Sequence, residues 1–182
     1  MRALAVAAAL LLAAPPALAA GATSAYTKID LDRCTVLERN EEFGSMVWRC
    51  PGHSGIDVWV ADDDARMLVS YGPGAEYQTA ASQTLPPFNT IGDTLEWRIG
   101  PDRRPFATIL RWHTSFDDGS TGQVLVVTRL AADGVCHVAY IDALVNRDAN
   151  VLARQAADTM APGHDCAQGP RIYGTYGRGI GY

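Results

Sequence analysis

The sequence predicts a mainly β protein: a single antiparallel sheet domain, closed as a barrel or stacked as a sandwich, with one C-terminal α-helix and two disulfide bonds. About seven or eight short runs of β-branched and aromatic residues alternate with turn residues. A single segment near the C-terminal end has apolar residues at helical spacing. The chain has four cysteines, an even number that favours two disulfides in an exported protein.

The first 19 residues have the pattern of a secretory signal peptide. Arg2 supplies a positive charge, residues 4–14 form an apolar stretch, and Ala17-Leu18-Ala19 is a cleavage site of the small-x-small type. The apolar stretch is too short to cross a bilayer, and no later stretch is long enough. The mature chain is therefore expected in a bacterial periplasm or outside the cell, without a transmembrane span.

The charge of the chain argues against nucleic-acid partners. Asp and Glu number 20 against 15 Lys and Arg, so the formal net charge is −5 at pH 7. Arg2 is the one charged residue of the signal peptide, and its removal makes the mature chain more negative still. A chain of this sign has no long-range attraction to nucleic acid or anionic lipid. The expected partner is a periplasmic protein or a cell-envelope component.

The β-domain is expected to span residues 34–166, after a flexible lead-in of small and polar residues at 20–33. Its first two strands contain Cys34 and Cys50. A hairpin centred on residue 42, with Glu41-Glu42-Phe43 as its loop, would place these cysteines opposite each other at a separation that a disulfide accepts. Three connectivities are possible, and this register favours Cys34–Cys50, which leaves Cys136–Cys166.

The later strands are expected to form hairpins. Asp62-Asp63-Asp64 marks one turn, and the Asp-Gly pairs at 118–119 and 133–134 mark two more, because Asp-Gly tolerates the positive φ of tight turns. The predicted strands of this part are 56–60, 66–71, 94–99, 106–113, 123–130 and 136–141.

The segment 72–93 interrupts the β pattern with Pro73-Gly74 and Pro86-Pro87, and a short helix is expected near 75–82. Loops of this length often carry function. Apolar and aromatic side chains here would offer a surface that recognises a partner. The candidate binding residues are Tyr71, Tyr77, Leu85, Phe88 and Asn89.

One helix is predicted at about 148–160, with Asn146 or Asp148 as its cap and Pro162-Gly163 as its stop. The Cys136–Cys166 bridge would clamp it onto the last strand. The tail at 167–182 is rich in glycine and tyrosine and is expected to be disordered. The predicted apolar face of the helix contains Val151, Leu152, Ala156, Thr159 and Met160.

The stretch from Trp48 to Trp59 most resembles a reactive site, because Cys50, His53 and Ser54 lie among glycines. A nucleophile elbow needs Gly-x-Ser-x-Gly between a strand and a helix. The stretch is one residue short of that motif and precedes a strand. A structural zinc needs four ligands, and the other cysteines do not repeat the spacing of Cys50 and His53. We interpret the stretch as a turn, and we expect no catalytic residue, metal or other cofactor.

Strand alternation directs both His113 and His137 away from the core. The sequence therefore favours an exported binding or envelope-associated protein without catalysis. The alternative is a periplasmic hydrolase, in which these histidines would meet Asp117 or Asp142.

Several segments resemble a family of small secreted four-cysteine proteins of Gram-negative bacteria for which no activity is known. The resemblance covers most of the mature chain and implies no activity. The segments are YTKIDLDRC at 26–34, RCPGHSGIDVWV at 49–60, SYG at 70–72, LPPFNTIGDTLEWR at 85–98 and CHVAYIDALVNRDANVLARQAADTMA at 136–161.

In organisation, an exported disulfide-bonded β-domain of this size is also similar to the periplasmic lysozyme inhibitors. One inhibitor family inserts a Ser-Gly-x-x-Tyr loop and a lysine-bearing loop into the lysozyme cleft. Here Ser70-Tyr71-Gly72 departs from the first motif, and Lys28, in the lead-in, is the one lysine of the chain. An inhibitor-like role is what this distant likeness implies.

Overall fold

The computed structural model describes residues 21–42 and 44–181, and it shows two β-sheets and one α-helix in three layers. The predicted signal peptide at 1–19 lies outside the described residues. A six-stranded sheet forms the middle layer, with a four-stranded sheet on one face and the helix on the other. The elements are β1 (Thr23–Lys28), β2 (Thr35–Asn40), β3 (Ser45–Cys50), β4 (Val58–Asp63), β5 (Arg66–Tyr71), β6 (Phe88–Ile99), β7 (Pro105–Ser115), β8 (Thr121–Ala131), β9 (Gly134–Asp142), α1 (Ala149–Met160) and β10 (Arg171–Ile172).

The mainly β fold with one helix and two disulfides is confirmed, but the expected single sheet and barrel are wrong. One sheet has the order β1-β6-β7-β8-β9-β10 and the other β2-β3-β4-β5, and neither closes on itself. Neighbouring strands are antiparallel except β9 and β10, which are parallel. Hairpin signals identify neighbouring strands, but they do not show whether successive hairpins share a sheet. The chain changes sheet twice, between β1 and β2 and again in the irregular segment between β5 and β6.

The segment expected to be a flexible lead-in contains β1, which pairs along its whole length with β6. Alternation gives β1 an inner and an outer face. On the inner face, the Thr27 hydroxyl accepts a hydrogen bond from Trp97 Nε1 at 3.0 Å. On the outer face, the Ser24 hydroxyl accepts one from Arg98 Nη1 at 2.6 Å. The sequence did not predict this strand, because its residues are small and polar and show no apolar alternation. Pairing with β6 and hydrogen bonds to β6 side chains hold it in place.

The first hairpin has the predicted register. Thr35 pairs with Arg49 and Val36 with Trp48, which places Cys34 opposite Cys50. The structure contains the disulfides Cys34–Cys50 and Cys136–Cys166. Nearer the turn the register shifts by one residue at a β-bulge between Val36 and Glu38.

The glycine-rich stretch after Cys50 is a turn, as predicted. A Cβ atom on Gly52 would lie 2.1 Å from the Ile56 carbonyl oxygen and 2.8 Å from the Trp97 ring. The His53 ring is tilted against the same tryptophan, with the ring centroids 6.1 Å apart. The stretch therefore packs over one edge of the core, and glycine is required there for close approach.

The segment between β5 and β6 covers the part of the β9 edge that does not pair with β10. It forms two short 3₁₀ turns, Ala75–Tyr77 and Thr79–Ser82. Gln78 Oε1 accepts a hydrogen bond from the Val135 N–H at 3.1 Å, and Gln83 Oε1 accepts one from the His137 N–H at 2.7 Å. These side chains replace a neighbouring strand, since buried backbone donors require partners.

Helix α1 matches the predicted span, but its buried face differs from the predicted one. Val151 is half exposed and Thr159 is exposed. Alanine allows the helix axis to approach the sheet closely, which explains why the larger apolar residues lie to the side. Among the described residues, no helix is long and apolar enough to cross a membrane. The helix buries Ala149, Ala153, Ala156 and Ala157.

The tail expected to be disordered is packed against the sheet. Strand β10 pairs with β9, and the Ile180 side chain is fully buried in the core between the two sheets. The Thr114 hydroxyl donates a hydrogen bond to the Gly179 carbonyl at 2.9 Å, and Asp142 Oδ2 accepts one from the Gly179 N–H at 2.8 Å. A Cβ atom on Gly122 would lie 2.4 Å from the Gly179 Cα. The tail glycines thus permit close backbone packing, which composition alone does not distinguish from disorder.

Candidate functional site

The outer face of the six-stranded sheet is covered by α1 over its β8 and β9 side. Towards β1 and β6 the face is open and carries polar side chains, and the gap beside the helix is a cleft of about 580 Å³. We call it the polar cleft. Its lining includes Tyr26, Gly92, Asp93, Glu96, Arg111, His113, Asn150 and Arg154.

An irregularity in β6 shapes the floor of the polar cleft. Ile91 pairs with Trp112 and Leu95 with Leu110, so three residues of β6 lie opposite one residue of β7. A Cβ atom on Gly92 would lie 3.2 Å from the Arg111 carbonyl oxygen and 3.8 Å from His113 Nε2. A larger residue at this position would crowd the two side chains that β7 directs into the cleft.

An ion pair between a buried carboxylate and a partly exposed arginine joins the helix to the sheet inside the polar cleft. Glu96 is largely buried, and its carboxylate accepts hydrogen bonds from Arg154 Nε at 2.7 Å and Arg154 Nη2 at 3.1 Å. Ser24 also donates to this carboxylate, and the Tyr26 hydroxyl lies 3.3 Å from Arg154 Nη2. The pairing raises the pKa of Arg154. Because this pair connects α1 to β6, we assign both residues a positioning role.

A second ion pair continues this network along the helix. Arg98 donates to Asp158 through Nε at 2.8 Å and Nη2 at 2.6 Å, a bidentate arrangement that fixes orientation. Together the two pairs hold α1 at a set distance from β6. The cleft is therefore preformed.

Arg111 is the cation of the polar cleft that lacks an ion-pair partner among the described residues. Its Nη1 donates to Gln123 Oε1 at 2.9 Å, and its Nη2 lies 3.4 Å from Asn150 Oδ1. Two neutral amides thus orient the guanidinium without neutralising it. The side chain is half-buried, so a ligand can reach it.

Asp93, the carboxylate at the rim of the polar cleft, already has hydrogen-bond and ion-pair partners. Lys28 and Thr94 hydrogen-bond Asp93 and hold the pKa of its carboxyl group below the ordinary value. Asp93 is therefore ionised and paired with Lys28. With Glu96 paired to Arg154, the excess charge of the cleft is the positive charge of Arg111.

The structure does not bring the sequence-predicted binding residues together on one surface. Tyr71 and Leu85 are buried in the core. Asn89 is buried and structural, since its Oδ1 accepts from the Met67 N–H and its Nδ2 donates to the Leu85 and Pro87 carbonyls. Tyr77 is almost fully exposed, and Phe88 is partly exposed beneath Arg66. Three of the five side chains are therefore buried and do not form an exposed surface, because the loop turns its side chains inward to cover β9 and β5.

The lysozyme-inhibitor likeness finds no matching loop. Ser70 and Tyr71 end strand β5, and both are buried. Gly72 follows with its N–H bonded to the Asp57 carbonyl at 2.9 Å. These residues therefore form part of a sheet and not a protruding loop.

The two strand histidines lie on opposite faces of the six-stranded sheet. His113 is exposed on the outer face as expected, but the expectation for His137 is wrong, because this side chain is buried between the sheets. A β-bulge at Val138 reverses the alternation, so His137 and Tyr140 share one face, with Nδ1 2.8 Å from the tyrosine hydroxyl. In the described part of the chain no three His, Cys, Asp or Glu residues group as a metal site.

Sequence reasoning missed the residues of the polar cleft. Strand alternation does place Glu96 and Arg98 on one face of β6, and helical spacing does place Arg154 and Asp158 on one face of α1. These are complementary pairs, but each also matches an ordinary solvated surface. Only their juxtaposition identifies the cleft.

Comparison with protein-family models, with curated proteins and with solved structures finds no match for this chain.

Proposed function

We propose that the protein is an exported binding protein that acts without catalysis and holds a small carboxylate-bearing molecule in the polar cleft. The observation that carries the proposal is Arg111, a guanidinium that two amides orient and that has no carboxylate partner in the part of the chain the structure describes. Guanidinium groups bind carboxylates through two parallel hydrogen bonds. The ligand would complete the charge balance of the cleft.

Export is supported by residues 1–19, which have the pattern of a signal peptide, and by the two disulfides, which persist in oxidising compartments. We accordingly propose that the protein works in the periplasm or outside the cell, either free or associated with the cell envelope. The ligand is then a molecule that is present outside the cytoplasm.

The lining of the polar cleft supports a small and polar ligand. Tyr26, His113 and Asn150 surround Arg111 with further hydrogen-bonding groups, and a cleft of about 580 Å³ lies within the range of small-molecule sites. A carboxylate bound to Arg111 would place the rest of the ligand near His113 and Asn150.

The alternative function, a periplasmic hydrolase, would need histidine and carboxylate groups within hydrogen-bond reach of each other. His113 and His137 cannot cooperate, since the six-stranded sheet separates them. Asp142 is engaged by the N–H groups of Leu144 and Gly179. These placements favour the binding role over the hydrolase.

Replacing Arg111 should weaken carboxylate binding. We expect that calorimetric titration with a set of small mono-, di- and tricarboxylates finds a ligand, and that Arg111→Gln weakens its affinity about tenfold or more, since charge-assisted hydrogen bonds contribute about 1.5–3 kcal/mol. Arg39→Gln, on the exposed strand β2 of the other sheet, is the matched control and should leave the affinity unchanged. Equal affinities for the wild type and Arg111→Gln would contradict the proposal, as would the absence of any binding carboxylate.

A further inference from the structure

The two ends of the β-sandwich differ. At one end, where β7 finishes and β8 begins, the C-terminal tail closes the space between the sheets with Ile180 and the backbone of Gly179. At the other end, a pocket of about 570 Å³ opens between the end of β5, the β6–β7 turn and the β8–β9 turn. We call it the end pocket.

The walls of the end pocket are mostly apolar. They include Ile56, Pro73, Phe106, Leu130 and Val135, and Tyr71 lies at the base. Burial raises the pKa of Tyr71, so its hydroxyl is neutral and adds no charge to the base. The volume and the lining match those of pockets that enclose small, largely apolar molecules.

The pocket is a built feature and not a gap between mobile loops. Gln78 Oε1, in the pocket lining, accepts a hydrogen bond from the Val135 N–H, which also lines the pocket. The Gly72 N–H donates to the Asp57 carbonyl. The β6–β7 turn is closed by hydrogen bonds from the Gly100 N–H to the Arg104 carbonyl and from the Arg103 N–H to the Gly100 carbonyl. The walls are therefore set before a ligand binds.

The rim of the end pocket carries an available cation. The Arg104 guanidinium has no ion-pair or hydrogen-bond partner among the described residues. Asp102 also lines the rim, and its Oδ1 accepts a hydrogen bond from the Arg104 backbone N–H at 3.1 Å, so the turn carries two arginines against one carboxylate. Arg103, next in the turn, is also exposed. Arginine beside an apolar pocket favours an anionic group at the mouth, with the apolar part of the same molecule inside.

We propose that the end pocket binds an amphiphilic anion, whose apolar body lies against Phe106 and Leu130 and whose anionic head faces Arg104. This site is separate from the polar cleft, which lies on the other face of the six-stranded sheet. The proposal does not depend on the function proposed for that cleft. An aromatic acid and a fatty acid share this chemistry, and the experiment distinguishes them.

The test uses the folded protein with two fluorescent probes of similar shape, anionic 1-anilinonaphthalene-8-sulfonate and neutral N-phenyl-1-naphthylamine. We expect saturable binding of both probes to one site. Ala132→Trp and Ala131→Phe, which would fill the pocket mouth, should each weaken both probes about tenfold or more. Ala167→Trp, an equally bulky change at an exposed position outside the pocket, should leave both affinities unchanged.

The head-group part of the proposal has its own comparison. Arg104→Gln should weaken the sulfonate probe about threefold or more and leave the neutral probe unchanged, because an exposed charge contributes modestly. Competition by 1-naphthoate or by decanoate then identifies the aromatic or the aliphatic acid as the better occupant. Arg39→Gln, on the exposed strand β2, should not affect any of these titrations.

Two results would overturn the proposal. If the mouth-filling variants, folded by circular dichroism, bind both probes like the wild type, the end pocket is not the site. If Arg104→Gln affects both probes equally, or neither, the anionic head is not recognised there.

Discussion

Acidification from pH 7 to pH 4 should destabilise the protein through His137 by roughly 3 kcal/mol. His137 is fully buried, and burial lowers its pKa to about 3, from an ordinary value of 6.5. Its Nδ1 meets the Tyr140 hydroxyl at 2.8 Å, and its Nε2 has no hydrogen-bond partner among the described residues. No carboxylate among the described residues pairs with His137, so a charged imidazole in this place would be uncompensated.

The direction of the effect follows from which state binds the proton. Above pH 6.5 the imidazole is neutral in both the folded and the unfolded chain, so it adds no pH dependence. Between pH 6.5 and about 3 the unfolded chain binds a proton that the folded chain refuses, so the free energy of unfolding falls as the pH is lowered. Below about pH 3 both states are protonated and the loss is complete.

Urea unfolding at pH 7 and at pH 4 measures this loss. His137→Gln removes the titrating group, and its free energy of unfolding should fall by roughly 3 kcal/mol less than that of the wild type over the same interval, whatever its stability at pH 7. The matched control is His113→Gln, on an exposed position of β7, which should keep the full wild-type loss. The same acid loss in His137→Gln as in the wild type would show that His137 is not the buried neutral group described here.

Truncating Ile180 should cost about 2–5 kcal/mol of stability, as Ile→Ala changes in cores do. Ile180 lies within the last three residues of the chain, yet its side chain is fully buried among core residues of both sheets. The glycines on either side allow the backbone to approach Pro87 and Asp142 closely. The tail thus contributes to the core although its composition is that of a flexible segment.

Ile172→Ala provides the comparison, because Ile172 lies in the same tail but is 40% exposed. Its truncation should change the free energy of unfolding by well under half the loss for Ile180→Ala, since less apolar area is buried. Urea titrations of both variants and the wild type would measure the difference. Small and equal effects of the two changes would mean that the tail does not pack as described.

The local features were predictable where neighbouring residues determine them. The register of the first hairpin follows from its short loop, and it correctly paired Cys34 with Cys50. The turn at Asp64 and Ala65, both with positive φ, lies where the run of aspartates indicated it. The helix lies where the cap and stop signals placed it, although the Asp148 side chain makes no capping hydrogen bond. In each case the interactions involved span a few residues or one hairpin.

Where long-range packing decides, the predictions failed. The bulge at Val138 depends on how β8 and β9 pair, and it reverses the faces of all residues before it in β9, including His137. The inward direction of Leu85 and Asn89 depends on contacts with β5 across the sheet change. Neither the bulge nor the inward direction of these side chains produces a periodic pattern in the sequence.

The polar cleft shows the same division. Glu96, Arg111 and Arg154 come from β6, β7 and α1, and each alone resembles a solvated surface residue. Their roles appear when the helix lies across the sheet and Arg111 has no carboxylate partner within residues 21–42 and 44–181. Whether a charged residue belongs to a site depends on the residues around it in the fold, and here these residues are distant in sequence.

By itself, therefore, the sequence determined the mainly β class, the hairpins, the C-terminal helix and the disulfide pairing, because alternation, turn chemistry and register act over short distances. Only the tertiary structure decided the division into two sheets, the burial of His137 and Ile180, and the composition of the polar cleft and the end pocket. These features depend on the balance between burying apolar surface and satisfying buried polar groups across the whole domain, and no local pattern records that balance.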